Sequence, residues 1–339
     1  MIQTKVRWAI LGTSYISEVM AKAIQASASS ELVAIGSRSF QTAEAFANKY
    51  SIRKRYTDYQ ELLNDQEIDA IYIGLPNHLH KEWMMRAAKS KKHILCEKPF
   101  VTSVDDAREV MSVIEENNVF CLEALMYRCH PFIHQLKGVV DSKMIGDIKL
   151  FNATYTAHII DVANPTAGGA IRNLGCYPIS LIRLLAKAEP VEIVGRGRMS
   201  DDDHNDNQAS AILTFENNVM AVVSTADDIK MTWQFDVYGT KGHIKLITNP
   251  WMPSQEHNQF NVYLNDEESP IEIKMKADKP LYTYQIDFCN SHIQKNNSIK
   301  YERKILQDSV ANTIVLEAWR EQVKKCATNS LDNRVEIAI

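Results

Sequence analysis

Three groupings in this chain have residue types and spacing suited to chemistry. Glu97-Lys98-Pro99 follows the apolar run His93-Ile94-Leu95-Cys96, so a lysine stands where a strand ends, between an acid and a stiff proline. Free lysine and tyrosine titrate near about 10.4 and about 10, so either must be lowered to act as a base near neutral pH. Burial of the lysine or a neighbouring cation supplies such a shift. Ser37-Arg38 follows a second apolar run, Leu32-Val33-Ala34-Ile35. An acid there would accept from a ribose 2′-hydroxyl, whereas a hydroxyl with a guanidinium suits a 2′-phosphate. Gly12-Thr13-Ser14-Tyr15-Ile16-Ser17 follows a third run and keeps only the first glycine of Gly-x-Gly-x-x-Gly, with Ser14 and Ser17 at the other two places. Small side chains there still let a pyrophosphate reach a helix N-terminus, where free N–H groups favour anions. Each grouping alone also has a plain reading: a surface Lys–Glu pair, a solvated arginine, an ordinary strand-to-helix turn.

Their joint placement is the stronger signal, and it depends on the elements that carry them. Strands are expected at Val6–Leu11, Leu32–Ile35, Asp69–Gly74, His93–Cys96 and Val119–Leu122, with helices at Ile16–Ala26, Thr42–Tyr50, around Leu79, Trp83 and Ala87, and after a cap-like Ser103-x-x-Asp106. Repeated βα units imply a parallel sheet covered by helices. Ligands of such sheets bind at the carboxyl ends of the strands, where all three groupings and the turn Gly74-Leu75-Pro76-Asn77-His78-Leu79-His80 fall. After Glu123 the rhythm changes to hairpin-spaced strands: Asp147–Ile160, Val191–Met199, Ala209–Phe215, Val219–Ser224, Thr232–Tyr238, His243–Ile247, Gln259–Leu264 and Ile271–Met275. A helix at Ile133–Val140 precedes them, and Leu306, Val310, Ile314 and Ala318 mark the apolar face of a late one. Two domains follow: residues 1–122, a dinucleotide-type α/β domain, and residues 123–339, built on one mostly antiparallel sheet.

Composition narrows the function. A length of 339 residues suits two domains, and 45% apolar with 24% charged residues is ordinary globular chemistry. The net charge of −4 lies wholly in residues 123–339, the first 122 being neutral, so neither part is built to hold nucleic acid or an anionic membrane. Six scattered cysteines form no Cys-x-x-Cys pair and point to reduced thiols and a cytoplasmic setting. No run has the roughly 20 apolar residues of a membrane span, nor a signal-peptide core. His78-x-His80 lacks a spaced zinc partner. Asp201-Asp202-Asp203-His204-Asn205-Asp206 lacks a calcium loop's glycine and terminal glutamate and reads as an acidic surface turn. Met84-Met85, Trp233 and Trp251 read as packing residues.

Four segments in order resemble the glucose–fructose oxidoreductase / inositol dehydrogenase (Gfo/Idh/MocA) family: the N-terminal turn, Glu97-Lys98-Pro99, Glu123-Ala124-Leu125-Met126-Tyr127-Arg128-Cys129-His130-Pro131, and Gly168-Gly169-Ala170-Ile171-Arg172-Asn173-Leu174-Gly175-Cys176-Tyr177-Pro178. The third segment and Tyr177 look most like the branch of dihydrodiol and xylose dehydrogenases. The resemblance implies an N-terminal Rossmann domain, a C-terminal α/β domain with a large, mostly antiparallel open-faced sheet, and a homodimer or homotetramer. It implies hydride transfer between NADP (with NAD as the lesser option) and a carbinol or ketone carbon of a sugar, cyclic polyol or keto-sugar. By resemblance, Lys98 and Tyr177 are catalytic, with Tyr177 exchanging the hydroxyl proton and Lys98 lowering its pKa. The implied cofactor contacts are Gly12, Thr13, Ser14, Tyr15, Ile16, Ser37, Arg38, Leu75, Pro76, Asn77, His80, Glu97, Lys98 and Arg128. Lys98, Tyr127, Asn173 and Tyr177 are implied for the substrate. Asn173 stands where the family usually has aspartate, so it can hydrogen-bond a hydroxyl but cannot take a proton. That departure and the thinned glycines motivate an alternative, a non-catalytic dinucleotide or sugar sensor of the same fold. A Rossmann-type methyltransferase would explain the first turn but not the lysine motif or the antiparallel half.

Overall fold

The computed structural model describes residues 5–161, 167–200, 205–295 and 299–328. The first part of the chain forms six strands, β1 (Val6–Leu11), β2 (Ser30–Gly36), β3 (Lys54–Tyr56), β4 (Ala70–Ile73), β5 (His93–Cys96) and β6 (Cys121–Glu123), all but the polar β3 built on short apolar runs. They form one parallel sheet in the order β3-β2-β1-β4-β5-β6. β1 and β4 are buried on both faces, as the crossover helices require. Those helices are α1 (Tyr15–Ala26), α2 (Phe40–Tyr50), α3 (Tyr59–Asn64), α4 (His80–Lys89) and α5 (Val104–Asn117). Capping starts four of the five: Ser14, Ser39, Asp58 and Ser103 each accept a backbone N–H of the first turn, Ser103 from Asp106 at 3.2 Å. Sequence reading missed β3 and α3, which are only three and six residues long and too short to show a period.

The second sheet has eight strands: β7 (Ile148–Thr156), β8 (Pro190–Met199), β9 (Asp206–Phe215), β10 (Met220–Ala226), β11 (Thr232–Gly239), β12 (Gly242–Leu246), β13 (Asn258–Leu264) and β14 (Ile271–Met275). Their order is β14-β13-β12-β11-β7-β10-β9-β8, and β7 with β10 is a parallel pair amid antiparallel ones. Alternation along β9 puts Ala209, Ala211 and Leu213 inside while Gln208, Ser210 and Ile212 face solvent, which is the one-sided burial expected of an open-faced sheet. The expected helix near residue 133 is α6 (Pro131–Asp141). α7 (Cys176–Ala186), preceded by a π-helical turn at Ile171–Gly175, packs on β7 and β10. No helix among the described residues is long and apolar enough to cross a membrane.

The compact units do not coincide with a single cut at residue 122. One comprises Met1–His134, Trp251–Asn258 and Met275–Thr313; the other comprises Gln135–Pro250, Gln259–Lys274 and Ile314–Ile339. The cause is two late helices, α8 (Leu281–Lys295) and α9 (Ile299–Thr328). Ile286 and Cys289 of α8 enter the apolar core around Trp8 and Ile24, and Trp8 Nε1 donates to Asn290 Oδ1 at 2.9 Å. Full burial of side chains of this size contributes about 1.5–3 kcal/mol each. Leu306 and Val310 of α9 join the core of the first unit, but Ile314, expected on the same face, is 42% exposed. From there the buried positions are Val315, Leu316, Trp319 and Val323, because the second half of α9 packs in the other unit. Trp319 fills the space that side chains at Gly175 and Gly195 would need.

The acidic run also departs from expectation. Asp201–His204 lie outside the described residues, but Asp206 is fully buried rather than on a surface turn. Its Oδ2 accepts the Ile171 N–H at 2.6 Å, and its Oδ1 faces Arg320 Nε at 3.3 Å. A buried carboxylate persists only with such partners. Asp206→Ala therefore lowers the unfolding free energy by about 3–5 kcal/mol, since it leaves Arg320 buried beside an uncharged methyl group. Ile314→Ser, at an exposed position, stays within about 0.5 kcal/mol. Urea unfolding of both variants checks the contrast, and equal losses would contradict the assigned burial.

Candidate active site

At the carboxyl edge of the parallel sheet the strand ladder continues one residue into each turn. Gly12 N–H donates to Gly36 O, Gly74 N–H to Leu11 O, Glu97 N–H to Ile73 O and Ser37 N–H to Tyr56 O, all at 2.9–3.0 Å. The first turn and the turn after β4 press together. A Cβ on Gly12 would lie 2.9 Å from Gly74 O and 3.0 Å from Leu75 Cδ2, and the Gly12 φ of +94° independently requires glycine. A Cβ on Gly74 would lie 2.8 Å from Ser17 Oγ. The two serines that replace the fingerprint glycines are used locally: Ser14 Oγ accepts the Ser17 N–H and lies 3.0 Å from Ser17 Oγ. Thr13 and Ile16 are half-buried, and Tyr15 is 83% exposed at the start of α1. Ser14 caps the Ser17 N–H, and the N–H groups before it in the first turn have no intrahelical partners, so the edge fits the diphosphate of a dinucleotide.

Ser37 is buried with its hydroxyl 2.6 Å from Thr42 Oγ1, while Arg38 is exposed and makes no hydrogen bond or ion pair among the described residues. Leu75 and Asn77 are half-buried, and Pro76 is exposed. His80 is fully buried. Its Nδ1 lies 2.9 Å from Pro99 O and its Nε2 2.9 Å from Leu75 O, so the ring ties together the turns after β4 and β5. Burial holds its pKa below the ordinary histidine value against the pull of those carbonyls, with the Lys98 charge adding to the depression. Both ring nitrogens of His80, a residue the resemblance implies for the cofactor, are directed at backbone carbonyls.

Lys98 is half-buried and follows Glu97, whose side chain turns inward. The hydroxyl of fully buried Tyr72 donates to Glu97 Oε1 at 2.6 Å, and the Lys98 N–H lies 3.3 Å from Oε2. Burial raises the Glu97 pKa, partly offset by the Lys98 charge and the Tyr72 hydroxyl. The motif is thus an anchored turn and not a surface pair. Glu123, the first residue of the Glu-Ala-Leu-Met-Tyr-Arg segment, braces the same turn by accepting the Phe100 N–H at 2.9 Å. Burial pushes its carboxyl up to about 7, with Asp308 adding to the rise and Ser309, Phe100 N–H and Arg128 opposing it. Arg128 is half-buried in an ion pair with Asp308, and Tyr127, expected at the substrate, has no exposed surface.

Tyr177 belongs to the second unit and Lys98 to the first. Tyr177 sits just after the π-helical turn, 7% exposed, with its ring edge-to-face on Tyr155 at 5.4 Å. Such π-turns inside helices occur often at functional sites. Asn173, 8% exposed, lies within the turn and its N–H donates to Gly169 O at 3.0 Å. Asp206 holds this turn through Ile171 N–H, and Gly169 (φ +101°) has no room for a Cβ against the Asp206 carboxylate. Burial and neighbouring Arg320 lower the Arg172 pKa to about 10. Tyr72, Glu123 and Asp206 were missed as positioning groups, since nothing local marks a carboxylate or phenol as buried.

The Glu123 shift has a sign that can be measured. Its folded pKa, about 7, lies above the ordinary 4.5, so the protonated form stabilises the fold. That stabilisation is fully present below about pH 4.5 and is lost as pH rises through about 7, a change of about 3 kcal/mol. Glu123→Gln mimics the protonated acid. Its melting temperature should match the wild type near pH 5 and exceed it at pH 8. Equal destabilisation at both pH values would refute the assignment.

Residues 6–124 match the family model described as the Gfo/Idh/MocA oxidoreductase family, NAD-binding Rossmann fold, and residues 133–245 match that family's C-terminal domain. The D-xylose 1-dehydrogenase (NADP(+)) 2 of Haloferax volcanii is 33% identical over 248 residues, covering 71% of this chain and 75% of the relative. The trans-1,2-dihydrobenzene-1,2-diol dehydrogenase of Xenopus tropicalis is 28% identical over 290 residues, 84% of each protein. A 3-ketoreductase from Actinomadura kijaniata, solved in complex with NADP and TDP-benzene, aligns with a TM-score of 0.86 over 94% of this chain and 98% of its own, and at 24% identity it shares the fold. With an anchored Glu-Lys-Pro turn at the edge of its Rossmann sheet and both domain models matched in order, the chain belongs to the Gfo/Idh/MocA oxidoreductase family.

Proposed function

We propose that this protein is an NADP-preferring dehydrogenase or reductase acting on a carbinol or ketone carbon of a sugar, cyclic polyol or keto-sugar. The observation that carries the reading is the anchored turn around Lys98. A lysine that follows an inward-turned glutamate, and whose turn is braced by a second buried carboxylate, is held in one place at the edge where dinucleotides bind. For the cofactor, Arg38 is exposed without a protein partner beside Ser37, and no acid stands there to meet a ribose 2′-hydroxyl.

When bound, the nicotinamide supplies or takes the hydride. The chain's residues handle the rest. The first turn of α1 and Gly12 receive the diphosphate, and Arg38 meets the 2′-phosphate. Tyr177 exchanges the proton of the reacting hydroxyl, and Lys98 donates a hydrogen bond to the reacting oxygen. Asn173 contributes a hydrogen bond to a substrate hydroxyl and, having no carboxylate, orients without taking a proton. The negative charge confined to residues 123–339 favours a neutral guest over a multiply charged acid.

Two measurements test this. NADPH raises the melting temperature more than NADH at equal concentration, and Arg38→Ala removes the difference; an unchanged difference overturns the cofactor assignment. On a panel of aldoses including D-xylose, cyclic polyols, trans-dihydrodiols and keto-sugars followed by nicotinamide absorbance, Lys98→Ala and Tyr177→Phe each reduce kcat by about 10²–10⁴-fold. Full turnover in both variants excludes the proton-handling scheme.

A further inference from the structure

We infer that Arg55, on the neighbouring strand, is a second cation for the 2′-phosphate and sets the strength of the NADP preference; this rests on the cofactor reading above. β2 and β3 pair in parallel with Ile35 opposite Arg55 and Gly36 opposite Tyr56, and the ladder ends with Ser37 N–H donating to Tyr56 O at 3.0 Å. Arg55 is therefore one strand spacing, about 4.8 Å, from Ile35, two residues before Ser37. Alternation along β3 separates its three side chains. Lys54 and Tyr56 share one face, where both bond Asp65 and Lys54 also meets Glu67. Arg55 takes the opposite face, and its guanidinium lies 5.8 Å from the ring centroid of Phe40, two residues after Arg38. Phe40 is 52% exposed at the first position of α2, so the aromatic face holds a cation next to the turn in open solvent.

The carboxylate partner of Arg55 is Glu44, at 3.7 Å, with both side chains more than 40% exposed. Such a long, solvated pair is weak and easily exchanged for a better acceptor. A 2′-phosphate carries close to two negative charges and three acceptor oxygens, more than the single guanidinium of Arg38 can match. A planar fork arriving from β3 supplies the missing donors, and release of Glu44 adds little cost. The two arginines therefore divide the task. Arg38 meets the phosphate from the turn itself, and Arg55 meets it from the adjacent strand.

Titrating the intact protein with NADPH and with NADH, followed by nicotinamide fluorescence, tests the inference. Arg55→Ala should weaken NADPH about tenfold while NADH changes less than about twofold. Glu44→Gln should tighten NADPH by removing the competing carboxylate. Lys54→Ala, whose charge is taken up on the other face, should leave the ratio unchanged. The inference is overturned if the wild type prefers NADPH and Arg38→Ala abolishes that preference, yet Arg55→Ala and Glu44→Gln leave it intact. A wild type with no preference for NADPH fails the cofactor reading itself and takes this inference with it.

Discussion

Backbone meets backbone at Gly12 and Gly74, and the rest of the cofactor edge depends on that closeness. With no Cβ on either residue, the turns after β1 and β4 stand within van der Waals contact at the centre of the sheet, where strand order reverses. The first helix can then begin immediately after the strand, with Ser17 of its first turn buried. A side chain at either glycine would force the turns apart and carry the helix N-terminus away from the edge. The second and third fingerprint positions accept serine because Ser14 and Ser17 meet in the helix cap, and Ser14 Oγ also donates to Gly74 O at 3.4 Å across the turn.

Around that edge, polar groups withdrawn from water hold the turns after β4 and β5. Glu97 is fixed by Tyr72, Glu123 takes the Phe100 N–H beyond Lys98, and His80 links the carbonyls of Leu75 and Pro99. In the other unit Asp206 plays the same part for the turn carrying Asn173. Burial raises all three carboxyl pKa values, against the opposing pull of their hydrogen-bond donors and neighbouring cations. The turn that carries Lys98 gains its fixed position from these buried neighbours.

Much of this was legible from local pattern. Apolar runs of four to six residues located β1, β4 and β5 to within a residue or so, Ser103 marked the start of α5, and the hairpin-spaced strands after residue 147 all appear. Lys98, Ser37 and Arg38 were identified by where strands must end, and the fold places them there. Local pattern failed where an element changes partners along its length. α9 keeps one helical period, yet Ile314 is exposed because packing passes from one core to another at that residue. It failed again at Asp206, since a carboxylate following three others reads as solvated whether or not a distant arginine meets it.

Residue pattern alone sets the two kinds of sheet, the turns at the strand ends and the identity of the groups able to move a proton or hold a phosphate. These follow from periodicity, glycine placement and side-chain chemistry, all of which act over a few residues. Which polar groups are buried, and what each one holds, is fixed by contacts between distant parts of the folded chain. Glu123 is set by neighbours nearly two hundred residues away in the chain, Asp206 by Arg320, and Trp8 by Asn290. The energy of a buried polar group depends on whether a partner arrives from elsewhere, and that is a property of the folded chain alone.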